Sequence, residues 1–245
     1  MSFGIKDKCY RKDLEILVDK LKNREHFAFS KYADGELHAL INKPVNNGEF
    51  WFVPEEHEKS RKALIDSFQY QDESYFVGVS CPCCIGGRPV HNWMKSQSGQ
   101  PEERLTWANI FVNGNYKYYL DNMVPLYSEF DVYLVSNSDS NLDKLPFEVK
   151  GHFQIGKNAW VKDYELIDEM KTFISKQQIR DSLFLFCAGP FGNILTHQLY
   201  EFSKDNTFID IGSTLNPLLL GEEGKNRGYL RGESSVNKIC VWETL

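Results

Sequence analysis

Two carboxylates stand two positions apart at the end of an apolar segment, in the sequence Lys31-Tyr32-Ala33-Asp34-Gly35-Glu36. With a glycine between them, a turn would let Asp34 and Glu36 face one point. Hard divalent cations such as Mg²⁺ and Mn²⁺ prefer oxygen ligands, and they usually bind through one or two carboxylates together with substrate phosphates. The pair is therefore a candidate site for Mg²⁺ or Mn²⁺. The alternative is a plain turn followed by a helix whose dipole Glu36 complements.

A second segment combines a hydrophobic strand with a glycine turn. In LFLFCAGPFGNILTHQLYEF (183–202), the apolar run ends at Gly189-Pro190, and a helix is expected to begin near Gly192-Asn193. Backbone N–H groups at the start of a helix bind anions, so Gly189 and Asn193 are candidate contacts for a diphosphate or a ribose hydroxyl. The segment lacks both the dinucleotide-binding fingerprint and the P-loop lysine, and an ordinary strand-to-helix turn is the alternative.

Polar residues near a third strand end offer further contacts. Asp210 and Ser213 lie at the end of an apolar run at 207–211, where a Gly-Ser-Thr sequence turns the chain away. These side chains could contact a nucleotide or an acceptor, and a capped turn is the alternative. A methyltransferase would also place an acidic residue near a strand end, but the glycine-rich loop after its first strand is missing from this sequence.

Two other segments could contact a ligand. Asn113 lies among aromatic residues in 107–116, and amides beside flat rings suit a sugar or a base, although they also suit a helix end. Arg227 belongs to the basic stretch 225–231. That stretch could cover donor phosphates, bind an anionic acceptor such as nucleic acid, or form a surface turn.

Three cysteines follow an apolar run at 75–80, in the sequence Cys81-Pro82-Cys83-Cys84. Cys81 and Cys84 have the C-x-x-C spacing of redox motifs and of half a zinc site. A thioredoxin-like motif would begin a helix at the first cysteine, whereas residues 85–89 predict a turn without a helix. A structural zinc needs two further ligands, for which His91 and Cys9 suggest themselves. We expect a loop at the rim of the site.

Strands and helices are predicted to alternate along the chain and to position these segments. Apolar runs predict strands at 26–33, 75–80, 131–136, 152–155, 183–188 and 207–211, with 238–242 a weaker candidate. Helices are predicted at 10–23, 36–41, 54–68, 101–120, 161–175 and 192–202. The alternation predicts a single α/β domain over residues 1–245, with a mainly parallel, doubly wound, Rossmann-like sheet and helices on both faces. Ligands of such sheets bind beyond the carboxyl ends of the strands.

The composition limits the class of partner. The 245 residues are 42% hydrophobic and 25% charged, as in an ordinary globular protein. The formal net charge of -6 argues against a surface given over to nucleic acid and leaves room only for a local basic groove. Residues 1–13 contain no apolar core of a signal peptide, and the apolar run 183–188 is too short to span a bilayer. We therefore expect a cytoplasmic protein with reduced cysteines and no membrane span.

Taken together, two segments resemble the glycosyltransferases of the GT-D type, whose first strand ends in an arginine, aromatic, glycine, Asp-Gly-Glu pattern. Residues 30–36 correspond to that pattern, and residues 183–213 resemble the family's strand, Gly-Pro turn, helix and Asp-Ile-Gly strand. Lys31 stands in place of the usual arginine, and Ala33 in place of the glycine. Lys31 can meet a phosphate as a point charge, without the bidentate fork of arginine.

The resemblance implies a metal-dependent glycosyltransferase that moves a sugar from a nucleoside diphosphate sugar to an acceptor hydroxyl. It implies that Asp34 and Glu36 hold Mn²⁺ or Mg²⁺ against the diphosphate, and Lys31 and the helix start after Gly189 would assist. The acceptor expected is a glycan, a glycoprotein or a nucleic acid.

The acceptor hydroxyl would be activated by a general base, for which His38, Asp210 and Glu222 are candidates. Two other functions fit the same sequence. A non-catalytic nucleotide- or protein-binding module would keep the α/β scaffold and place zinc on the CPCC loop. A nucleotide or phosphoester hydrolase would use Asp34 and Glu36 and would need a group that activates water.

Overall fold

Strands and helices alternate along most of the chain. The computed structural model describes residues 3–4, 8–222, 224, 227–230 and 238–242. In chain order the strands are β1 (Ala28–Tyr32), β2 (Val45–Asn46), β3 (Trp51–Phe52), β4 (Tyr75–Val79), β5 (Leu105–Trp107), β6 (Val132–Asn137), β7 (Val149–Ile155), β8 (Leu183–Phe186) and β9 (Thr207–Asp210). The α-helices are α1 (Tyr10–Lys22), α2 (Asp34–Leu40), α3 (Glu58–Gln69), α4 (Gly87–Ser98), α5 (Tyr116–Tyr118), α6 (Ala159–Lys162), α7 (Leu166–Gln177), α8 (Pro190–Phe202) and α9 (Asn216–Leu219). Within these ranges, no helix combines the length and the apolar character needed to cross a membrane.

A fully parallel sheet forms the centre of the molecule, with the strand order β5-β4-β1-β9-β8-β6-β7 in the described part of the chain. In chain order, β1 lies at the centre of the sheet and β4 and β5 follow outward on one side. The next two strands, β6 and β7, form the far edge on the other side, and β8 and β9 lead back to the centre. Ala28 of β1 pairs with Phe208 of β9. Because the connections of β1 and β9 run to opposite sides, a crevice opens beyond their carboxyl ends.

Helices cover both faces of the sheet. Side chains alternate between the two faces along each strand, so each strand packs against helices on both sides. On one face, Tyr32 packs against Phe68 of α3, with ring centroids 4.5 Å apart. On the other face, the ring centroid of Phe76 lies 5.1 Å from the ammonium nitrogen of Lys20 in α1. Strands buried on both faces are apolar throughout, as in the buried sequence LFLF of β8.

The predicted fold class is confirmed: the described residues form one α/β domain with a parallel sheet and helices on both faces. The strands predicted at 26–33, 75–80, 183–188 and 207–211 correspond to β1, β4, β8 and β9 with shorter ends. The strand predicted at 131–136 corresponds to β6, shifted by one residue, and 152–155 is the second half of β7. The strand suggested at 238–242 does not form.

The helix predicted at 101–120 is wrong. Residues Leu105–Trp107 form the edge strand β5, in which Leu105 pairs with Val77 of β4 and all three residues are buried. Beyond it lie a 3₁₀ turn at Asn113–Asn115 and the short helix α5, which continues into a π-helical turn at Tyr119–Met123 and a 3₁₀ helix at Val124–Glu129. Pairing with the open edge of β4 therefore overrides the local helical pattern.

The turn expected at 85–89 instead becomes the start of α4. Gly86 and Gly87 adopt φ angles of +58° and +68°, which glycine tolerates because it has no Cβ. The helix begins at Gly87, and Pro89 fits into its first turn, where backbone N–H groups have no partner within the helix.

Asn193 joins α8 to β1. Its Nδ2 donates hydrogen bonds to Ser30 Oγ at 3.0 Å and to the Lys31 carbonyl oxygen at 2.7 Å. The side chain is fully buried. Its neighbour Gly192 lies so close to Asp210 that a Cβ there would be 3.3 Å from Asp210 Cγ. The amide therefore fixes the start of α8 beside the ends of β1 and β9.

Replacing Asn193 with alanine should lower the free energy of unfolding by about 1–3 kcal/mol, because Ser30 and the Lys31 carbonyl lose a buried donor. Denaturant unfolding measures the change. Asn92→Ala on α4, where the side chain is exposed, is the matched control and should stay within about 0.5 kcal/mol of the natural protein. Equal stability of the two variants would contradict the structural role of Asn193.

Candidate active site

A cavity of about 360 Å³ opens at the carboxyl ends of the parallel strands. The segments that follow or end β1, β5, β6, β7, β8 and β9 contribute Asp34, Asn109, Asn137, Gly156, Gly189 and Ser213 to its lining. Because the strands are parallel, residues distant in sequence meet at this one edge of the sheet.

Asp34 and Glu36 occupy the first turn of α2, directly after β1. Asp34 is exposed, whereas Glu36 is buried and its Oε2 accepts a hydrogen bond from the Ala33 N–H at 2.9 Å. Ala33 is the N-cap residue, so Glu36 closes the start of the helix in the manner of a capping box. The helix start and the cavity wall are thus built from the same two carboxylates.

Lys31 interacts electrostatically with these carboxylates and with Asp210, which ends β9 and is buried. Asp210 accepts hydrogen bonds from the Gly212 N–H at 2.9 Å and the Lys31 N–H at 3.4 Å. Burial raises the pKa of Asp210 to about 7, although the charge of Lys31 opposes the rise. Burial also lowers the pKa of Lys31, but the charges of Asp210 and Glu36 outweigh it and leave that pKa raised. Lys31 therefore stays cationic beside the cavity.

The course of the Lys31 side chain depends on Gly212. A Cβ at position 212 would lie 2.8 Å from Lys31 Nζ, and the φ angle of Gly212 is +53°. A side chain at this position would displace the end of Lys31, and the left-handed backbone favours glycine. The Gly-Ser-Thr turn after β9 therefore has a steric role in holding the lysine.

The start of α8 also faces the cavity. Gly189, with a φ angle of +54°, and Pro190 both line it. The helix extends over 13 residues from Pro190, so its N-terminus carries a partial positive charge from aligned peptide dipoles. This end of α8 favours an anionic ligand group.

A hairpin formed by β2 and β3 carries Phe50 into the cavity wall. The Phe50 ring covers Gly35, where a Cβ would lie 2.6 Å from the ring. Asn158 holds the hairpin, because its Oδ1 accepts from the Trp51 N–H at 2.9 Å and its N–H donates to the Glu49 carbonyl oxygen at 2.8 Å. Phe50 is not among the site residues predicted from the sequence, and the aromatic run FWF at 50–52 is the feature that marks this segment.

The C-terminal part of the chain supplies another wall. Arg227 lines the cavity and pairs with Glu49, while the hydroxyls of Tyr229 and Ser213 share a hydrogen bond. Burial lowers the pKa of Arg227, but its hydrogen bond to Glu49 and nearby negative charge leave it raised. Residues 225, 226 and 231 of the expected basic stretch lie outside the described residues.

Six of the predicted site residues line the cavity: Lys31, Asp34, Glu36, Gly189, Ser213 and Arg227. Three lie outside the lining. Asp210 lies beneath Lys31, Asn193 bonds to β1, and the Nδ2 of Asn113 donates to Cys240 Sγ at 3.5 Å. The candidate bases His38, Asp210 and Glu222 are all described, and the cavity lining includes none of them.

Asp210 should make stability depend on pH. Its pKa rises from 3.8 to about 7 on folding, so the folded state binds the extra proton in this window and the free energy of unfolding falls as pH increases. This pKa difference corresponds to a decrease of at most about 4 kcal/mol in the free energy of unfolding. In Asp210→Asn this fall should disappear from denaturant unfolding curves recorded between about pH 4 and 7.5. Asp139→Asn, an exposed control, should follow the natural protein, and parallel curves for all three proteins would refute the assignment.

The fold is similar to two solved structures of a domain of unknown function, DUF1792. The selenomethionine-substituted structure of that domain has a TM-score of 0.54 and 16% identity, covering 81% of this chain and 76% of that one. The second structure has a TM-score of 0.53 and 17% identity, with coverage of 80% and 75%, and is described as having "a distinct glycosyltransferase fold". No family model and no curated protein matches the sequence. This chain therefore shares its fold with a domain described as having a glycosyltransferase fold.

Proposed function

We propose that this protein is a metal-dependent glycosyltransferase that moves a sugar from a nucleoside diphosphate sugar to an acceptor hydroxyl. One observation carries the proposal. Asp34, Glu36, Lys31 and the start of α8 line a single cavity at the carboxyl ends of the strands, in a fold similar to one described as a glycosyltransferase fold.

The two carboxylates suit a hard divalent cation. Among the described residues, no side chain engages the exposed carboxylate of Asp34 by a hydrogen bond or ion pair, and the capping hydrogen bond of Glu36 uses only Oε2. Oxygen ligands of this kind, completed by substrate phosphates, are what Mg²⁺ and Mn²⁺ prefer. A metal held there by Asp34 and Glu36 would neutralise the charge of the leaving diphosphate.

The protein's own positive charges also favour a diphosphate in this cavity. Lys31 presents a positive charge that passes close to Gly212 and is favoured by the charges of Asp210 and Glu36. The start of α8 adds backbone N–H groups that suit a phosphate. Arg227, paired with Glu49, offers a planar guanidinium that can bind a phosphate in a bidentate manner. Donor phosphates are thus expected between β1 and α8.

The remaining walls suit the uncharged parts of the substrates. Phe50 and Trp160 form an apolar side with ring centroids 6.2 Å apart, and flat rings of this kind pack against a base or a sugar. The acceptor is a hydroxyl of a glycan, a glycoprotein or a nucleic acid. The six cysteines all lie in the described part of the chain and form no disulfide with one another, as we expect for a protein of the reducing cytoplasm.

Calorimetric titration with UDP, GDP and their sugars, with and without Mn²⁺, tests the proposal. We expect metal-dependent binding that weakens by about tenfold or more, or about 1.4 kcal/mol, in Asp34→Asn and in Glu36→Gln. Both substitutions preserve shape, and glutamine can still cap the helix. Glu55→Gln, which changes an exposed carboxylate outside the cavity, should bind as the natural protein does.

Metal-independent binding, or no binding of any nucleotide, would contradict the proposed transferase site and favour a non-catalytic binding module. Release of free sugar at the same rate with and without acceptors would instead indicate a hydrolase.

A further inference from the structure

Four cysteines meet beyond the carboxyl end of β4. Cys81, Cys83 and Cys84 follow that strand, and Cys240 belongs to the C-terminal segment 238–242. Their Sγ atoms all lie within 4.8 Å of one another. Three of the six separations are 3.2 Å for Cys81 and Cys83, 4.0 Å for Cys83 and Cys84, and 3.7 Å for Cys84 and Cys240.

These separations match a tetrahedral sulfur site. Zinc binds cysteine sulfur at about 2.3 Å, which places the four sulfur atoms of a tetrahedron about 3.8 Å apart. Two of these three sulfur–sulfur separations are shorter than that distance, at 3.2 and 3.7 Å, and one is longer, at 4.0 Å. Four converging sulfur ligands select zinc over hard cations such as Mg²⁺ or Ca²⁺. We propose that Cys81, Cys83, Cys84 and Cys240 bind one structural zinc ion.

The surroundings of the cluster suit a zinc thiolate centre, which carries net negative charge. The Nδ2 of Asn113 donates to Cys240 Sγ at 3.5 Å. Lys238 brings a positive charge to the cluster, and its Nζ donates to the Cys83 carbonyl oxygen at 3.3 Å. Outer groups of this kind orient the ligands and stabilise their charge.

The site is structural because four cysteines complete the coordination of zinc and leave no open position for substrate. Its effect is to tie the C-terminal segment to the loop after β4. Trp242 already packs there against Trp107, with centroids 4.9 Å apart, and the Gly114 N–H donates to the Lys238 carbonyl oxygen at 2.6 Å. Arg227 and Tyr229, which line the cavity, precede this anchor along the chain.

The ligands differ from those expected from the sequence. His91 and Cys9 lie outside the cluster. The Nδ1 of His91 is 2.9 Å from the Ser80 carbonyl oxygen, and Cys9 is at the start of α1. Cys83 and Cys240 take their places.

Elemental analysis of the purified full-length protein, after dialysis against metal-free buffer, tests the site. We expect one zinc per chain, lost in Cys83→Ser and in Cys240→Ser. Cys83 is exposed, so its substitution should not disturb the core. Cys9→Ser removes a thiol outside the cluster and should keep the metal. Asp34→Asn should also keep it, which separates this site from the candidate Mn²⁺ site.

Cobalt substitution gives a second measurement on the natural protein, independent of whether any variant folds. A tetrahedral thiolate site should give sulfur-to-cobalt charge-transfer bands and intense visible absorption. A metal-free chain, a disulfide among the four cysteines in mass spectra, or zinc retained by both serine variants would overturn the proposal. None of these results bears on donor binding at Asp34 and Glu36, so the two proposals fail separately.

Discussion

The buried carboxylate of Asp210 joins the two halves of the sheet at the point where the cavity opens. It ends β9, accepts a backbone hydrogen bond from Lys31 of β1, and accepts another from Gly212. A buried carboxylate is costly unless hydrogen bonds and a nearby cation compensate for lost hydration. Lys31 provides that cation. Because Asp34 follows β1 and Ser213 follows β9, the hydrogen bond from Lys31 to Asp210 joins the two strands that lead into these walls of the cavity.

The carboxyl edge of the sheet separates two kinds of ligand chemistry. The wall after β1 presents carboxylate oxygens from Asp34 and Glu36, whereas the loop after the neighbouring β4 presents thiols. Hard cations select the former and zinc selects the latter. One protein can therefore hold a structural zinc and a substrate-linked Mg²⁺ or Mn²⁺ without competition between the sites. Zinc on the CPCC loop is thus compatible with catalysis and does not by itself favour a binding module.

The sequence predicted those features that depend on local pattern. β8 and β9 are apolar because both faces of the sheet are covered, and Asp34 and Glu36 stand directly after β1. Features that depend on distant partners could not be predicted. β5 is a strand only because the edge of β4 is available, and Phe50 reaches the cavity only through a short hairpin. Cys240 is separated from Cys84 by 156 positions, and no spacing rule links ligands so far apart.

Lys31 is more than a phosphate contact in which lysine replaces arginine. Its charge already offsets Asp210 and Glu36, and its side chain crosses Gly212 at a distance that leaves no room for a Cβ. A diphosphate entering the cavity would compete with these carboxylates for the same cation. Added negative charge disfavours ionisation of a nearby carboxyl group and added positive charge favours it, so the diphosphate would raise the pKa of Asp210 from about 7 and the accompanying divalent cation would lower it. Donor affinity and protonation of Asp210 are then linked through the net charge that the metal and the diphosphate together add to the cavity.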